Sequence, residues 1–320
     1  MITVVSGGVG AARFLRALLE IVPAGEVAAV VNTADDTVMH GLSISPDIDT
    51  ITYTLAGATD DVRGWGMRDE TWRAMEALQR FVTVRPDGSS AAPTWFNLGD
   101  QDIATHFYRT ARLAEGATLT EVTAEICAAF GVEVALLPMS HDRVETRVTL
   151  AVVPGEEVGF QEYFVKLRHD VPVQSVRFAG ADVASLTDPA RHALTDADTV
   201  VIAPSNPLVS IGPLRAIRGV DEVLSARRDT VVAVSPIIGG AALKGPADRM
   251  LVELSHEQSV VGVARLYAKI ASALVIDPVD ADLADAVEAA GMRAIVVPSI
   301  MSTPEVSATL ARATLAAVRG

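Results

Sequence analysis

Apolar residues in this chain fall into short, nearly unbroken runs. Residues 2–5, 27–31, 200–203, 231–234, 274–276 and 294–297 are such runs, built mostly from Val, Ile, Leu and Ala. Runs of this length between turn residues mark strands buried on both faces, as in a parallel sheet. Elsewhere the spacing changes to three and four: Leu15, Leu18 and Leu19 share one face of a helix expected over 11–21. Strand, glycine turn, helix and strand over 2–31 form a βαβ unit. Ser45-Pro46-Asp47 reads as a helix start, with Ser as cap and Pro in the first turn, and Gly57 stops that helix after about residue 56. A helical stretch is expected over 58–79, and a polar turn over 85–90. Asp100 is placed to cap a helix reaching 114, and Thr120 one reaching 130 with Gly131 as its stop. A strand follows over 132–137, then polar–apolar alternation over 145–185 predicts a partly exposed antiparallel section. An Ala-rich helix is expected over 303–319.

The expected fold class is therefore α/β: a three-layer α/β/α parallel sheet formed by 1–57 and 132–320, with an inserted, mainly helical smaller lobe over 58–131. Composition agrees, since hydrophobic residues are 50% and aromatics 5%, which suits small side chains packed closely against a buried sheet. The formal net charge of −14 argues against non-specific nucleic-acid binding and against an anionic membrane surface. Such a chain binds phosphates through local backbone N–H groups, a few Arg or Lys, and a divalent cation. Cys127 is the single cysteine, so an intramolecular disulfide and a thiolate metal cage are excluded, and its helical setting suggests a buried, inert thiol. No apolar run approaches the ~20 residues that span a bilayer, and no basic leader precedes the first strand; a cytoplasmic protein is expected.

In open parallel sheets ligands bind beyond the carboxyl ends of the strands, and polar and glycine residues concentrate there. Gly7, Gly8 and Gly10 lead from the first strand into a helix, where bare N–H groups suit an anion; a simple tight turn is the lesser alternative. The second strand ends in Asn32-Thr33-Ala34-Asp35-Asp36, and a loop leads to Asp47 and Asp49. Four carboxylates near two adjacent strand ends suit a hard cation such as Mg2+ with bridging phosphate oxygens. Asp47 also fits as a helix-start charge; Asp49 fits as metal ligand, as orienter of a substrate hydroxyl, or as the acceptor of its proton. Asp102, His106 and Arg109 lie along one helical face, with Arg109 reading as a phosphate contact or as part of a surface ion-pair face. Met139-Ser140-His141 ends another strand. Pro204-Ser205-Asn206-Pro207, with Ser210 to Gly212 beyond, sets rigid donors that suit a nucleotide. No Gly-x-Ser-x-Gly elbow, zinc spacing or Walker loop is present, and Arg13 stands where the dinucleotide fingerprint needs its third glycine.

The ordered set Ser6-Gly7-Gly8-Val9-Gly10, Val31-Asn32-Thr33-Ala34-Asp35-Asp36, Ile44-Ser45-Pro46-Asp47-Ile48-Asp49-Thr50, Leu98-Gly99-Asp100, Leu137-Pro138-Met139-Ser140, Pro204-Ser205-Asn206-Pro207 and Val234-Ser235-Pro236-Ile237-Ile238-Gly239 resembles the 2-phospho-L-lactate transferase family. The resemblance implies a Rossmann-like core, a homodimer, and Mg2+-dependent transfer of a phosphoenolpyruvyl or 2-phospholactyl group. The donor it implies is a guanosine diphosphate adduct and the acceptor is the ribityl hydroxyl of the deazaflavin Fo, with GMP released, in coenzyme F-420 biosynthesis. By this resemblance Asp49 and Asp36 are the candidate catalytic carboxylates, and Asp47 with Asp49 the metal ligands. Asp49, Asn97, Asp100, His106, Met139 and His141 are assigned to Fo; some family members carry a basic residue where this chain has Asn97. Gly7, Gly8, Gly10, Asn32, Thr33, Ser205, Asn206, Pro207 and Ser210 are assigned to the nucleotide. An alternative is a regulatory nucleotide-sugar binder resembling the gluconeogenesis factor, which shares the glycine turn but lacks transfer; Ser45-Pro46-Asp47-Ile48-Asp49 favours the transferase.

Overall fold

The computed structural model describes every residue except 61, 62, 64, 90, 153, 154, 319 and 320. Its main sheet has seven parallel strands: β1 (Ile2–Ser6), β2 (Val27–Val31), β3 (Ala135–Pro138), β4 (Thr199–Ile202), β5 (Val231–Val234), β6 (Ala273–Ile276) and β7 (Arg293–Val296). Their spatial order is β7-β6-β5-β4-β1-β2-β3, with Val4 beside Ala29 on one side and Val201 on the other. Side chains alternate across each strand. Val5, Val30, Ile202, Ala233 and Leu274 therefore enter one buried layer, while Val4, Ala29, Val201, Val232 and Val275 enter the other. Helices cover both layers, which completes the α/β/α sandwich expected from the nearly unbroken apolar runs.

Helix α1 (Gly8–Leu19) and α2 (Pro46–Leu55) lie on the second layer. Ser45 precedes α2 but does not cap it; its hydroxyl donates to Asp36 Oδ2 at 2.7 Å. Residues 37–44, a loop in the sequence reading, form a hairpin of two three-residue strands, Thr37–Met39 and Leu42–Ile44. The helix expected over 58–79 is instead α3 (Arg73–Val82), preceded by turns with a single bridge between Thr59 and Met67. Helix α4 (Asp100–Ala114) has the expected span. Helix α5 (Leu119–Ala129) is capped by Thr118, not Thr120: Thr118 accepts from Glu121 N–H and Glu121 accepts from Thr118 N–H, a reciprocal box. The last helix is Pro304–Ala316, capped by Thr303; Arg319 lies outside the described residues.

Helices α3 and α4 share a small core with the hairpin, through Met75 of α3, Ile103 of α4, Met39 and Ile44 of the hairpin, and Leu98. Helix α5 packs on the sheet, with Cys127 buried in the second layer and its thiol pushed up to about 11 by burial. Two carboxylates exchange helix ends across this lobe. Asp100, the first residue of α4, does not serve its own helix; it accepts from Ala74 N–H and Arg73 N–H at the start of α3 and from the Thr71 hydroxyl. Glu70 in turn accepts from Asp102 N–H at 2.8 Å in the first turn of α4. A Cβ at Gly99 would stand 2.0 Å from the Glu70 carboxyl carbon, so only glycine admits that carboxylate. The antiparallel section is a three-stranded sheet of Glu157–Gly159, Glu145–Leu150 and Val173–Ala179.

Candidate active site

The chain runs outward from β1 to β2 and β3, then crosses back to β4, so the strand order reverses between β1 and β4. A crevice for ligand opens at such a point. The glycine turn and the Pro204-Ser205-Asn206 loop meet there. Gly8 has φ +67, and a Cβ at Gly10 would lie 2.0 Å from the Pro204 carbonyl oxygen. Ser205 donates to the Gly7 carbonyl at 2.7 Å. Asn206 closes its own loop, accepting from Leu208 N–H at 2.9 Å and Val209 N–H at 3.3 Å, and Pro207 is buried beneath. Ser210 packs against Gly7, where a Cβ would meet its Cβ at 2.7 Å. These residues form one rim.

Asp47 sits over that rim. It accepts from Gly8 N–H at the start of α1 and from Asn32 Nδ2 at 2.9 Å. The same Asn32 nitrogen donates to Asp35 Oδ2 at 3.1 Å, while Asn32 Oδ1 accepts from Ala34 N–H. One amide thus holds Asp35 and Asp47 side by side. Burial pushes the Asp47 carboxyl up to about 6, and burial with the Asp47 charge raises Asp35 well above the usual carboxylate range. Asp36 follows Thr33, whose carbonyl accepts the Asp36 N–H. Burial raises Asp36 too, against the pull of Ser45 and Arg109. Asp35 Oδ1 and Asp36 Oδ1 are buried without a hydrogen-bond partner. Orphan carboxylate oxygens fit a hard, oxygen-seeking cation, which needs only one or two protein carboxylates once phosphate oxygens complete its shell.

Asp49 has another partner. Arg109, from α4, reaches across with both guanidinium nitrogens, Nη1 to Oδ2 at 3.1 Å and Nη2 to Oδ1. Arg109 is 1% exposed, so this is a buried, bidentate pair joining the lobe to α2, not a surface ion-pair face. His106 Nδ1 lies 3.2 Å from Arg109 Nη1 and can only accept there. Its proton therefore rests on Nε2, which faces Asp102 Oδ1 at 3.3 Å but off hydrogen-bonding alignment. Tyr53 donates to the same Asp102 oxygen at 2.6 Å. Burial works to raise both Asp49 and Asp102; Asp49 stays raised, whereas His106 and Tyr53 hold Asp102 below its ordinary value. Donor atoms of Asp49, Asp102 and His106 lie within 4.8 Å of one another. The guanidinium already supplies positive charge there, so a metal ion would meet repulsion. The expectation pairs Asp49 with Asp47 as metal ligands; in this geometry Asp35 is the carboxylate that shares the Asn32 amide with Asp47, and Asp49 pairs with Arg109.

Other expected residues lie apart. Met139 is fully buried in the first layer's core, with its N–H on Val31 O, so its side chain presents nothing to the rim. Asp100 is spent on α3, and Asn97 is exposed and lines neither of the clefts described next. A cleft of about 340 Å³ between the hairpin and α5 holds exposed His141, whose Nε2 lies 2.7 Å from Thr120 Oγ1. A larger one of about 940 Å³ is walled by Trp95 and Phe160 and bordered by Arg85 and Arg147. Asp36 lines both. Tyr53, Glu70 and the fully buried state of Arg109 are not visible from sequence spacing, because their partners are 32 to 60 residues away.

The sequence matches the family described as 2-phospho-L-lactate transferase CofD over residues 2–305. It is 40% identical over 317 residues to a protein of Streptomyces griseus named phosphoenolpyruvate transferase, covering 98% of this chain and 97% of that protein. A protein of Mycobacterium ulcerans with the same name is 39% identical over 328 residues, again covering 98% and 97%. The fold is similar to a crystal structure of a Bacillus halodurans protein of the upf0052 family, with TM-score 0.60 and 14% identity over 98% of each chain. At that identity the structural likeness speaks for the sheet and its layers, whereas the sequence match runs through the glycine turn, the aspartates and the Ser205 loop alike. The chain belongs to the 2-phospho-L-lactate transferase family and is a transferase.

Proposed function

We propose that this chain transfers a phosphoenolpyruvyl group, or alternatively a 2-phospholactyl group, from a guanosine diphosphate donor to the ribityl hydroxyl of the deazaflavin Fo, in coenzyme F-420 biosynthesis. The observation that carries the reading is the pairing of Asp35 and Asp47 on one Asn32 amide, with Asp47 accepting from Gly8 N–H at the start of α1 and Asp36 close enough to feel its charge. Names of relatives near 40% identity favour the enolpyruvyl donor. The glycine turn, Asn32, Thr33, Ser205, Asn206 and Ser210 form the nucleotide side, and the larger cleft the acceptor side. The acceptor oxygen forms a bond to the distal phosphorus, the phosphoanhydride bond breaks, and GMP leaves with that bridging oxygen. Asp36 takes the hydroxyl proton; burial raises its pKa, which makes it a stronger base than an ordinary carboxylate. Asp49, held by Arg109, orients the acceptor. Asp35 and Asp47 would hold Mg2+, which when bound offsets the diphosphate charge.

Purified protein with Fo, Mg2+ and each candidate guanosine donor should yield GMP and a new phosphodiester by mass spectrometry. No such product with any donor would sink the reading. The metal assignment has its own test. Asp47 titrates near 6, so it is mostly protonated at about pH 5 and ionised at about pH 8. Protons compete with the cation for a raised carboxylate, so millimolar Mg2+ should raise the thermal midpoint more at about pH 8 than at about pH 5. An equal shift at both would remove Asp47 from the metal site.

A further inference from the structure

We infer that His40 is a specificity-determining residue of the acceptor site, its imidazole hydrogen-bonding a polar edge of the planar acceptor held in the larger cleft. The inference rests on the proposed acceptor. Three separate features of His40 support it. The first is backbone strain. His40 and Gly41 form the two-residue turn of the hairpin, with φ +55 and +76, and Met39 pairs with Leu42 across it. Both central residues of such a turn need positive φ, a demand met most readily by Asn, Asp or Gly. Histidine with its Cβ is a costlier choice there.

The second feature is an unpaired nitrogen. His40 Nε2 is covered from solvent and has no hydrogen-bond partner. A buried polar atom left unpaired works against folding. The fold therefore carries two unfavourable features at one residue, which points to a role outside stability. The third is placement. His40 is in the wall of the about 940 Å³ cleft that also holds Trp95, Phe160 and Asp36. Trp95 and Phe160 supply flat apolar faces for an aromatic ring system. His40 lies four residue steps from Asp36 along the hairpin strand, a reach of about 13 Å at most. That span accommodates a ribityl chain and its ring, with the reacting hydroxyl at Asp36 and the ring edge at His40. Burial lowers the His40 pKa, so the ring is neutral and carries one donor and one acceptor. A deazaflavin edge alternates carbonyl oxygens with N–H, and a neutral imidazole complements it by a small side-chain rotation.

The turn supplies the controls. His40→Asn and His40→Gly both suit positive φ, so each variant should fold with an unchanged or higher thermal midpoint. Fo binding without donor, followed by the deazaflavin fluorescence, should weaken about tenfold in each variant, the worth of one lost hydrogen bond. The KM for Fo should rise in step, while kcat and the KM for the guanosine donor stay within about twofold of the wild type. Unchanged Fo affinity in both variants, with the wild type binding Fo, overturns the inference alone. A matched loss of thermal midpoint and of donor affinity also overturns it, because His40 would then be a structural residue. A wild-type protein that binds no Fo overturns the acceptor assignment and this inference together.

Discussion

Arg109→Ala is expected to lower the free energy of unfolding by about 3–5 kcal/mol, a large share of the ~5–15 kcal/mol typical of a folded protein. The guanidinium is fully buried and meets both oxygens of Asp49, so truncation strands a carboxylate in a low-dielectric interior and opens a cavity. Arg109→Lys keeps the charge but loses the fork, and should fall between the two. The coupling is measurable by a double-mutant cycle in urea. Arg109→Met with Asp49→Asn should be less destabilised than the sum of the single changes, since neither charge is then stranded. A loss under about 1 kcal/mol for Arg109→Ala would show that the pair is not structural. The same geometry changes how Asp49→Asn reads: it leaves the Arg109 charge uncompensated, so a fall in turnover there mixes chemistry with folding.

Asp36→Asn separates the two. Turnover should fall by about 10²–10⁴, the usual worth of a positioned base, while the thermal midpoint holds or rises. The sign follows from burial. The folded-state pKa of Asp36 lies well above its ordinary value, so the stability linked to this group is present at low pH and is lost as pH climbs through that raised pKa. A neutral amide of the same shape removes that loss, so the gain should grow from acidic to neutral pH, and Ser45 keeps an oxygen to donate to. Turnover near that of the wild type would remove Asp36 from the reaction.

Much of the scaffold is legible in the sequence. Strands β1, β2, β4, β5, β6 and β7 coincide with the nearly unbroken apolar runs within about a residue, because burial on both faces leaves no room for polar alternation. The glycine turn was legible for a similar reason, since backbone approach as close as that of Gly10 to Pro204 tolerates no Cβ. The stretch 58–79 misled, because Trp65, Trp72 and the charged residues around them have no helical core to face until Arg73. The hairpin was hidden by its length: three-residue strands offer too few alternating positions, and His40 is not a standard signal for a turn with positive φ.

The sequence by itself determined the layered α/β frame, the glycine turn and the clustering of acidic residues after β2, because those depend on local period, side-chain size and chain proximity. Tertiary structure alone decided what each acid does. Asp35 joins Asp47 because one Asn32 amide spans them, Asp49 is drawn away by an arginine 60 residues distant, and Asp100 and Glu70 exchange helix ends across the lobe. The physical reason is that a carboxylate takes whichever N–H donor or cation lies nearest in space, and no spacing rule along the chain encodes which partner that will be.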